Sequence, residues 1–344
     1  MADLDAEQSA RKSAESLRAS RLRRRAERGD DERVPAHLTW LRLPALRSPV
    51  LVMAFEGWND SGEAATTAAR LLVSQRDGDK IASIDPEEYF VFTDTRPYVR
   101  LTRRGRRRID WPANEFFACP DAASGPEPRD LVVLVGTEPD LRWRAFSEMV
   151  LHVARRLGVE LVIALGALDN EVPHTLPPLV SGTTANPELH PLLRNLGLRP
   201  SRYEGPTGIV GVLTGKFSEA GYPVASLWGH SPHYISASPN PVVAARLLRE
   251  LAGILHISPD MEMLDEAAQR FDEQVREAVA KDPEAMAYVR DLERRYHEEH
   301  GGEGDRDDRR SVSSGELPSG AAMVNYLEEF LRQRRRPPNA GPSR

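Results

Sequence analysis

Cysteine is nearly absent from this sequence: Cys119 is the only one among 344 residues. An intrachain disulfide framework and a cysteine-based zinc site are therefore excluded. No apolar run approaches the ~20 residues that a membrane-spanning helix needs. Residues 1–25 also lack the apolar stretch of a secretory signal. These absences predict a cytoplasmic protein without a membrane partner.

A surplus of basic residues is also missing. Lysine and arginine together number 46 against 52 aspartates and glutamates, so the formal net charge is -6 at pH 7. A dedicated nucleic-acid-binding protein carries a basic surplus, so no nucleic-acid partner is expected. Nearly all of the basic residues are arginine, which indicates a source genome of high GC content. Hydrophobic residues make up 40% of the chain and aromatic ones only 6%, which predicts a core packed mainly by aliphatic side chains.

Composition divides the chain into five parts. Residues 1–34 have no packable apolar face and are predicted to form a disordered or loosely helical arm. An α/β sheet domain is expected over 35–257 and a helical extension over 258–300. The low-complexity stretch 301–320 is predicted to be a flexible linker. A short amphipathic helix and a tail are expected over 321–344.

Within 35–257, short aliphatic runs alternate with helical stretches. The predicted strands are 50–55, 81–84, 89–92, 115–118, 131–135, 161–165 and 224–227. The predicted helices are 61–74, 143–157, 208–220 and 241–256. This alternation predicts a mostly parallel sheet covered by helices on both faces. Because 80–118 holds several predicted strands and no helix, it is expected to add an antiparallel part.

Polar side chains follow several predicted strands, where open α/β sheets place their ligand crevices. Glu56 and Glu138 each follow a buried strand and are candidate general bases, and His174 is a candidate acid or orienting group. The stretch 166–184, which holds His174, is expected to be a long loop without helix or strand. The candidate ligand-binding residues are Asn59, Asp60, Asp169, Glu204, Thr207, Gly208 and His233.

Structural roles remain open for several of these residues. Asp60 suits the N-cap of the following helix, His174 suits a hydrogen-bonded loop histidine, and Gly208 suits close backbone packing. His230 and His233 have no carboxylate at metal-ligand spacing, so no metal site is predicted, and no cofactor is expected.

The stretch 96–108 is the one dense basic patch, with seven arginines around Gly105. Its pattern predicts a hairpin with arginines on both arms. Two interpretations remain open, a solvated hairpin neutralised by acidic neighbours and a site for an anion or an acidic partner.

Five segments, in order along the chain, resemble the proteasome assembly chaperone two family in its actinobacterial branch. They are 57–62 (Gly-Trp-Asn-Asp-Ser-Gly), 136–139 (Gly-Thr-Glu-Pro), 173–175 (Pro-His-Thr), 204–209 (Glu-Gly-Pro-Thr-Gly-Ile) and 232–234 (Pro-His-Tyr) with 239–241 (Pro-Asn-Pro). The resemblance implies a three-layer α/β/α fold similar to purine nucleoside phosphorylases and related hydrolases. It also implies a homo-oligomer, with a trimer among the expected states.

Two functions from different classes follow. The resemblance implies an assembly or interaction protein with a proteasome-related partner. Family members that act as proteasome chaperones dock through a C-terminal hydrophobic–Tyr–X ending, whereas this sequence ends in Gly-Pro-Ser-Arg, so that contact is not expected. The alternative is a small-molecule enzyme of the nucleoside phosphorylase or hydrolase type, or an ATP-dependent ligase, with an acidic pocket at the strand ends. The sequence leaves open whether the protein is an enzyme.

Overall fold

An eight-stranded mixed sheet forms the centre of the structure, a computed structural model that describes residues 35–120, 129–201 and 203–300. These residues form one compact unit, apart from 203–205, which belong to a second unit. The strands are β1 (Leu38–Trp40), β2 (Val50–Glu56), β3 (Asp79–Ile84), β4 (Tyr98–Leu101), β5 (Arg107–Asp110), β6 (Asn114–Cys119), β7 (Leu131–Thr137), β8 (Leu161–Asn170), β9 (Val180–Thr184) and β10 (Val224–Pro232).

The order across the main sheet is β1-β3-β6-β7-β2-β8-β10-β9. Its middle strands β7, β2, β8 and β10 are parallel, while β1, β3, β6 and β9 pair antiparallel with their neighbours. The prediction that 80–118 adds antiparallel strands is therefore confirmed. Among the described strands, β4 and β5 pair only with each other, as the predicted basic hairpin.

Seven helices accompany these strands within the described residues. They are α1 (Ala64–Gln75), α2 (Trp143–Leu157), α3 (His190–Asn195), α4 (Ile209–Glu219), α5 (Pro241–Leu255), α6 (Glu262–Ala280) and α7 (Pro283–His300). Short 3-10 turns occupy Ser61–Glu63 and Pro86–Glu88. Helix α2 matches its predicted bounds because a sharp amphipathic pattern ends at Gly158, whose φ of 71° is the left-handed C-cap conformation.

Helices cover both faces of the sheet, which gives the three layers that the resemblance implied. Successive side chains of a strand point to opposite faces. In β2, Val50 and Val52 thus join the core under α1 and α5, while Leu51 and Met53 join the core under α2 and α4. Both cores consist mainly of aliphatic side chains, as the composition predicts.

Two predictions for 35–257 are wrong. The expected strand 89–92 is a loop, because Pro86 starts a helical turn whose carbonyl accepts the backbone N–H groups of Tyr89 and Phe90 at 3.0 and 3.2 Å. Both rings are nevertheless buried. The expected loop 166–184 contains the last part of β8 and all of β9, because each pairs with β10. The arm, linker and tail predicted at 1–34, 301–320 and 321–344 lie outside the described residues.

Candidate functional site

The parallel strands β7, β2, β8 and β10 end at one edge of the sheet, called here the carboxyl edge. Glu56 is the last residue of β2, Glu138 follows β7, and Asp169 lies near the end of β8. His233 directly follows β10. The structure thus brings these side chains to one edge of the sheet, and their contacts divide them into separate groups.

Glu138 is the centre of the first group. Its Oε1 accepts hydrogen bonds from Asn59 Nδ2 at 2.6 Å and from the backbone N–H of Ile209 at 2.7 Å. Ile209 is the first residue of α4, and a carboxylate is stabilised by the free N–H groups and the dipole of a helix N-terminus. Glu138 therefore ties the turn after β2 to the start of α4.

Gly208 lets these groups approach closely. A Cβ atom on Gly208 would lie 2.2 Å from Asn59 Oδ1 and 2.6 Å from Glu138 Oε1, which is closer than van der Waals contact allows. Asn59 is buried, and its Oδ1 has no hydrogen-bond partner in the structure. Asn59, Glu138 and Gly208 are therefore packed too closely to admit a side chain at position 208.

Glu56 joins the same edge through different partners. Its carboxylate pairs with Arg70 of α1 and accepts a 3.2 Å hydrogen bond from Thr137 Oγ1. Its carbonyl accepts the backbone N–H of Glu138 at 2.9 Å. Both residues of the ion pair are partly exposed, so the pair adds little to stability.

Asp60 precedes the 3-10 turn Ser61–Glu63, and its side chain caps the N-terminus of α1. Its carboxylate accepts the backbone N–H groups of Ala65 at 2.6 Å and Thr66 at 3.2 Å, and the Thr66 hydroxyl as well. Burial raises the pKa of Asp60 from 3.8 to about 6, although these hydrogen bonds act in the opposite direction. The structural role that the sequence left open for Asp60 thus occupies both of its carboxylate oxygens.

Three further candidate residues, Asp169, Glu204 and Thr207, are on the surface. Asp169 is exposed and accepts a hydrogen bond from the hydroxyl of Ser61. Thr207 is exposed before α4. Glu204 is exposed in the segment 203–205.

His174 lies in a second group, built from aromatic rings. Tyr234 Oη accepts the backbone N–H of His174 at 2.8 Å and lies 2.8 Å from His174 Nδ1. Burial lowers the pKa of His174 and raises the pKa of Tyr234 to about 12. His233 Nε2 lies 3.1 Å from the hydroxyl of Tyr288 on α7, whose ring packs edge-on against Tyr234.

An apolar cleft of about 470 Å³, including its open mouth, lies beside this aromatic group. Prolines of the β8–β9 connection line it together with the start of α5 and one side of α6, and His174, His230 and Asp272 are among its few polar groups. His230 itself lies 2.8 Å from Asn170 Nδ2 and 3.0 Å from Ser181 Oγ. The sequence pattern indicated neither Tyr288 nor the cleft, because both depend on how the later helices pack. Tyr234 was indicated by the Pro-His-Tyr segment 232–234.

The arrangement gives little support for catalysis. Among the described residues, no hydrogen bond or ion pair joins His174 to Glu56 or Glu138, so the predicted acid and base are not paired. Each of the two carboxylates is held by partners from its own surroundings. The described residues contain no cluster of three or more His, Cys, Asp or Glu side chains arranged to hold a metal ion. None of the helices in the described ranges is both long and apolar enough to cross a membrane.

Comparison with known proteins agrees with the family that the order of the sequence motifs indicated. The model of the PAC2 family matches residues 54–279, a range that holds the Glu138 group and, of the aromatic group, His174, His233 and Tyr234. The chain belongs to the PAC2 family. This confirms the resemblance to proteasome assembly chaperones found in the sequence.

Similar proteins of known structure agree with this assignment. A PAC2 family protein from Streptomyces avermitilis is 42% identical, covering 70% of this chain and 99% of its own, with a TM-score of 0.63. A proteasome-assembly chaperone homologue from Mycobacterium tuberculosis is 38% identical over the same shares, with a TM-score of 0.62. An archaeal proteasome activator from Pyrococcus furiosus is 20% identical, covers 70% of this chain and 97% of its own, and shares the fold with a TM-score of 0.57. No match was found among the curated proteins.

Proposed function

We propose that this PAC2 family chain is a chaperone-like interaction protein that acts as a homo-oligomer on proteasome subunits in the cytoplasm. The observation that carries this proposal is the state of the carboxyl edge. Glu138 binds the amide nitrogen of Asn59 and the backbone N–H of Ile209, while large apolar side chains near Asn59 and Glu138 in sequence face solvent: Trp58 is 64% exposed and Leu141 is 46% exposed. Such an edge suits contact with a protein, since exposed tryptophans concentrate at interfaces.

The partner class comes from the similar proteins. One of them is a proteasome-assembly chaperone homologue that is 38% identical to this chain, and another is an archaeal proteasome activator with the same fold. A proteasome-related partner is therefore the first to test. No observation favours the enzyme alternative.

The experiment mixes purified proteasome α- and β-subunits of an actinobacterium with and without this protein. We expect the protein to co-elute with subunits and to speed the appearance of assembled, peptidase-active particles. Trp58→Ser should weaken both effects, because it removes an exposed ring from the carboxyl edge. The matched control is Leu43→Ser, since Leu43 is also exposed but lies in the β1–β2 connection at the opposite edge.

Unchanged assembly together with no co-elution would reject the proposal. Equal loss in both variants would show that the carboxyl edge is not the contact surface.

A further inference from the structure

The β4–β5 hairpin concentrates positive charge in an acidic protein. Residues 96–111 contain seven arginines and one aspartate, which gives a formal charge of +6. The whole chain carries a formal charge of -6, so the remaining residues together carry -12. Complementary charge steers association and selects partners. A second copy of this same chain offers that complementary charge.

One face of the hairpin is apolar and uncovered. Directly opposed residues of an antiparallel pair share a face, so Val99 and Ile109 lie together, with Leu101 and Arg107 beside them. Leu101 is 72% exposed, Val99 60% and Ile109 53%. Arg107 is thus the one charge among these four side chains.

The opposite face holds charges that are already paired. Asp110 lies 2.7 Å from Arg100 Nε and 2.6 Å from Arg108 Nε. These ion pairs place the two arginines on the side away from Val99 and Leu101. The hairpin is therefore amphipathic, with its apolar face free for contact.

The hairpin has little support from its own protomer. It forms a separate two-stranded sheet in the connection between β3 and β6, and Trp111 at its base packs against Phe92 with ring centroids 4.8 Å apart. An isolated two-stranded hairpin is marginally stable in water. A partner that covers its apolar face would stabilise it.

Helix α6 presents an acidic surface that fits this hairpin. Glu262, Glu266, Glu273 and Glu277 recur at helical spacing on one side of α6, and all four are exposed. We call these four residues the glutamate stripe. Of these four glutamates, only Glu266 forms an ion pair with another described residue, Arg270. Beside the stripe, Met263 is 79% exposed.

The hairpin and the glutamate stripe lie at different places in the fold. The hairpin extends from the carboxyl edge near β3 and β6, whereas α6 packs on α5 and α7 and lines the cleft beside β10. No ion pair joins them within the described part of one chain. When two different patches of one protein bind each other, the contact is head-to-tail and closes into a ring if the rotation allows.

We propose that the hairpin of one copy lies on the glutamate stripe of α6 in a second copy, so that repeated contacts close a ring. Arg103, Arg104 and Arg107 then face the stripe, and the apolar face of the hairpin covers Met263. The inference deepens the proposed function, since it specifies the interface of the expected homo-oligomer.

Charge-reversal variants of the full chain test this interface. Size-exclusion chromatography with light scattering gives the oligomer mass across a dilution series. Arg104→Glu with Arg107→Glu should raise the dissociation constant more than about tenfold, because like charges then meet across the contact. Glu273→Arg with Glu277→Arg should do the same. All four changes together should restore the oligomer, since the two surfaces are again opposite in charge.

The matched control reverses two exposed arginines elsewhere, Arg194→Glu with Arg199→Glu, and should leave the mass unchanged. A monomeric wild-type protein, or unchanged mass in both interface variants, overturns the inference. So does a fourfold variant that stays dissociated. If the hairpin variant keeps its mass but no longer speeds proteasome assembly, the hairpin binds the proteasome instead. That result overturns this interface and leaves the proposed function standing.

Discussion

Asn59 and Glu138 lie 79 positions apart in sequence, and Asn59 Nδ2 donates a 2.6 Å hydrogen bond to Glu138 Oε1. The same oxygen accepts the first backbone N–H of α4, from Ile209. One carboxylate oxygen thus joins the turn after β2, the end of β7 and the start of α4. This contact therefore links three segments of the carboxyl edge.

Removing the Glu138 carboxylate should destabilise the fold. Glu138→Ala leaves the buried Asn59 amide and the Ile209 N–H without their acceptor, and we expect a loss of about 2–3 kcal/mol in the free energy of unfolding. Glu138→Gln keeps an acceptor oxygen and should lose about 1 kcal/mol. Urea unfolding measures both. Equal stability of Glu138→Ala and the wild type would contradict the role of this contact.

Gly208, just before α4, and Gly215, within α4, allow a matched comparison of two glycine-to-alanine changes. Gly208→Ala places a Cβ 2.2 Å from Asn59 Oδ1 and should cost about 1–3 kcal/mol, as overpacking does. Gly215→Ala, within α4, meets nothing within 4 Å and should stabilise by about 1 kcal/mol, because alanine favours a helix over glycine. Thermal unfolding compares the two variants. A Gly208→Ala protein as stable as the wild type would show that the packing here is loose.

Asp60 should make stability depend on pH. Its folded-state pKa of about 6 lies above the ordinary value of 3.8, so between about pH 4 and pH 6 the folded protein binds more protons than the unfolded chain. The contribution of Asp60 to the free energy of unfolding is therefore greatest at low pH. It falls as the pH rises from about 4 through 6, by about 3 kcal/mol for two pKa units.

Comparison with Asp60→Asn isolates this contribution. The stability of the wild type relative to Asp60→Asn should decrease from pH 4 to pH 7, as followed by urea unfolding at each pH. A constant difference across this range would show that the carboxyl group titrates normally.

The hydroxyl groups of Tyr234 and Tyr288 should differ in importance. Tyr234→Phe removes the acceptor for the backbone N–H of His174 in a half-buried position, and should cost about 1–2 kcal/mol. Tyr288→Phe is the matched control. The Tyr288 hydroxyl contacts exposed His233 at 3.1 Å and forms a hydrogen bond with the surface side chain of Arg295. Because water can replace both contacts at the surface, the expected loss is below about 0.5 kcal/mol. Thermal unfolding that ranks the two variants the other way would contradict the role given to Tyr234.

Local pattern was enough to predict much of this fold. Helix α2 and the buried strands β2 and β7 were predicted within two residues because their apolar spacing and their end signals lie within each segment. The motif order also indicated the PAC2 family from sequence alone. The strand predicted at 89–92 was wrong because burial of Tyr89 comes from its tertiary contacts with Phe146 and Met149 rather than from pairing in the sheet.

The sequence by itself placed Glu56 and Glu138 directly after buried strands, and the carboxyl ends of such strands border the ligand crevices of open α/β sheets. Only the tertiary structure decided what they do there. Glu138 is held by Asn59 and Ile209, Asp60 caps α1, and His174 bonds to Tyr234 instead of to a carboxylate. These partners come from distant segments, and a hydrogen bond requires distances and directions that residue spacing along a chain does not specify.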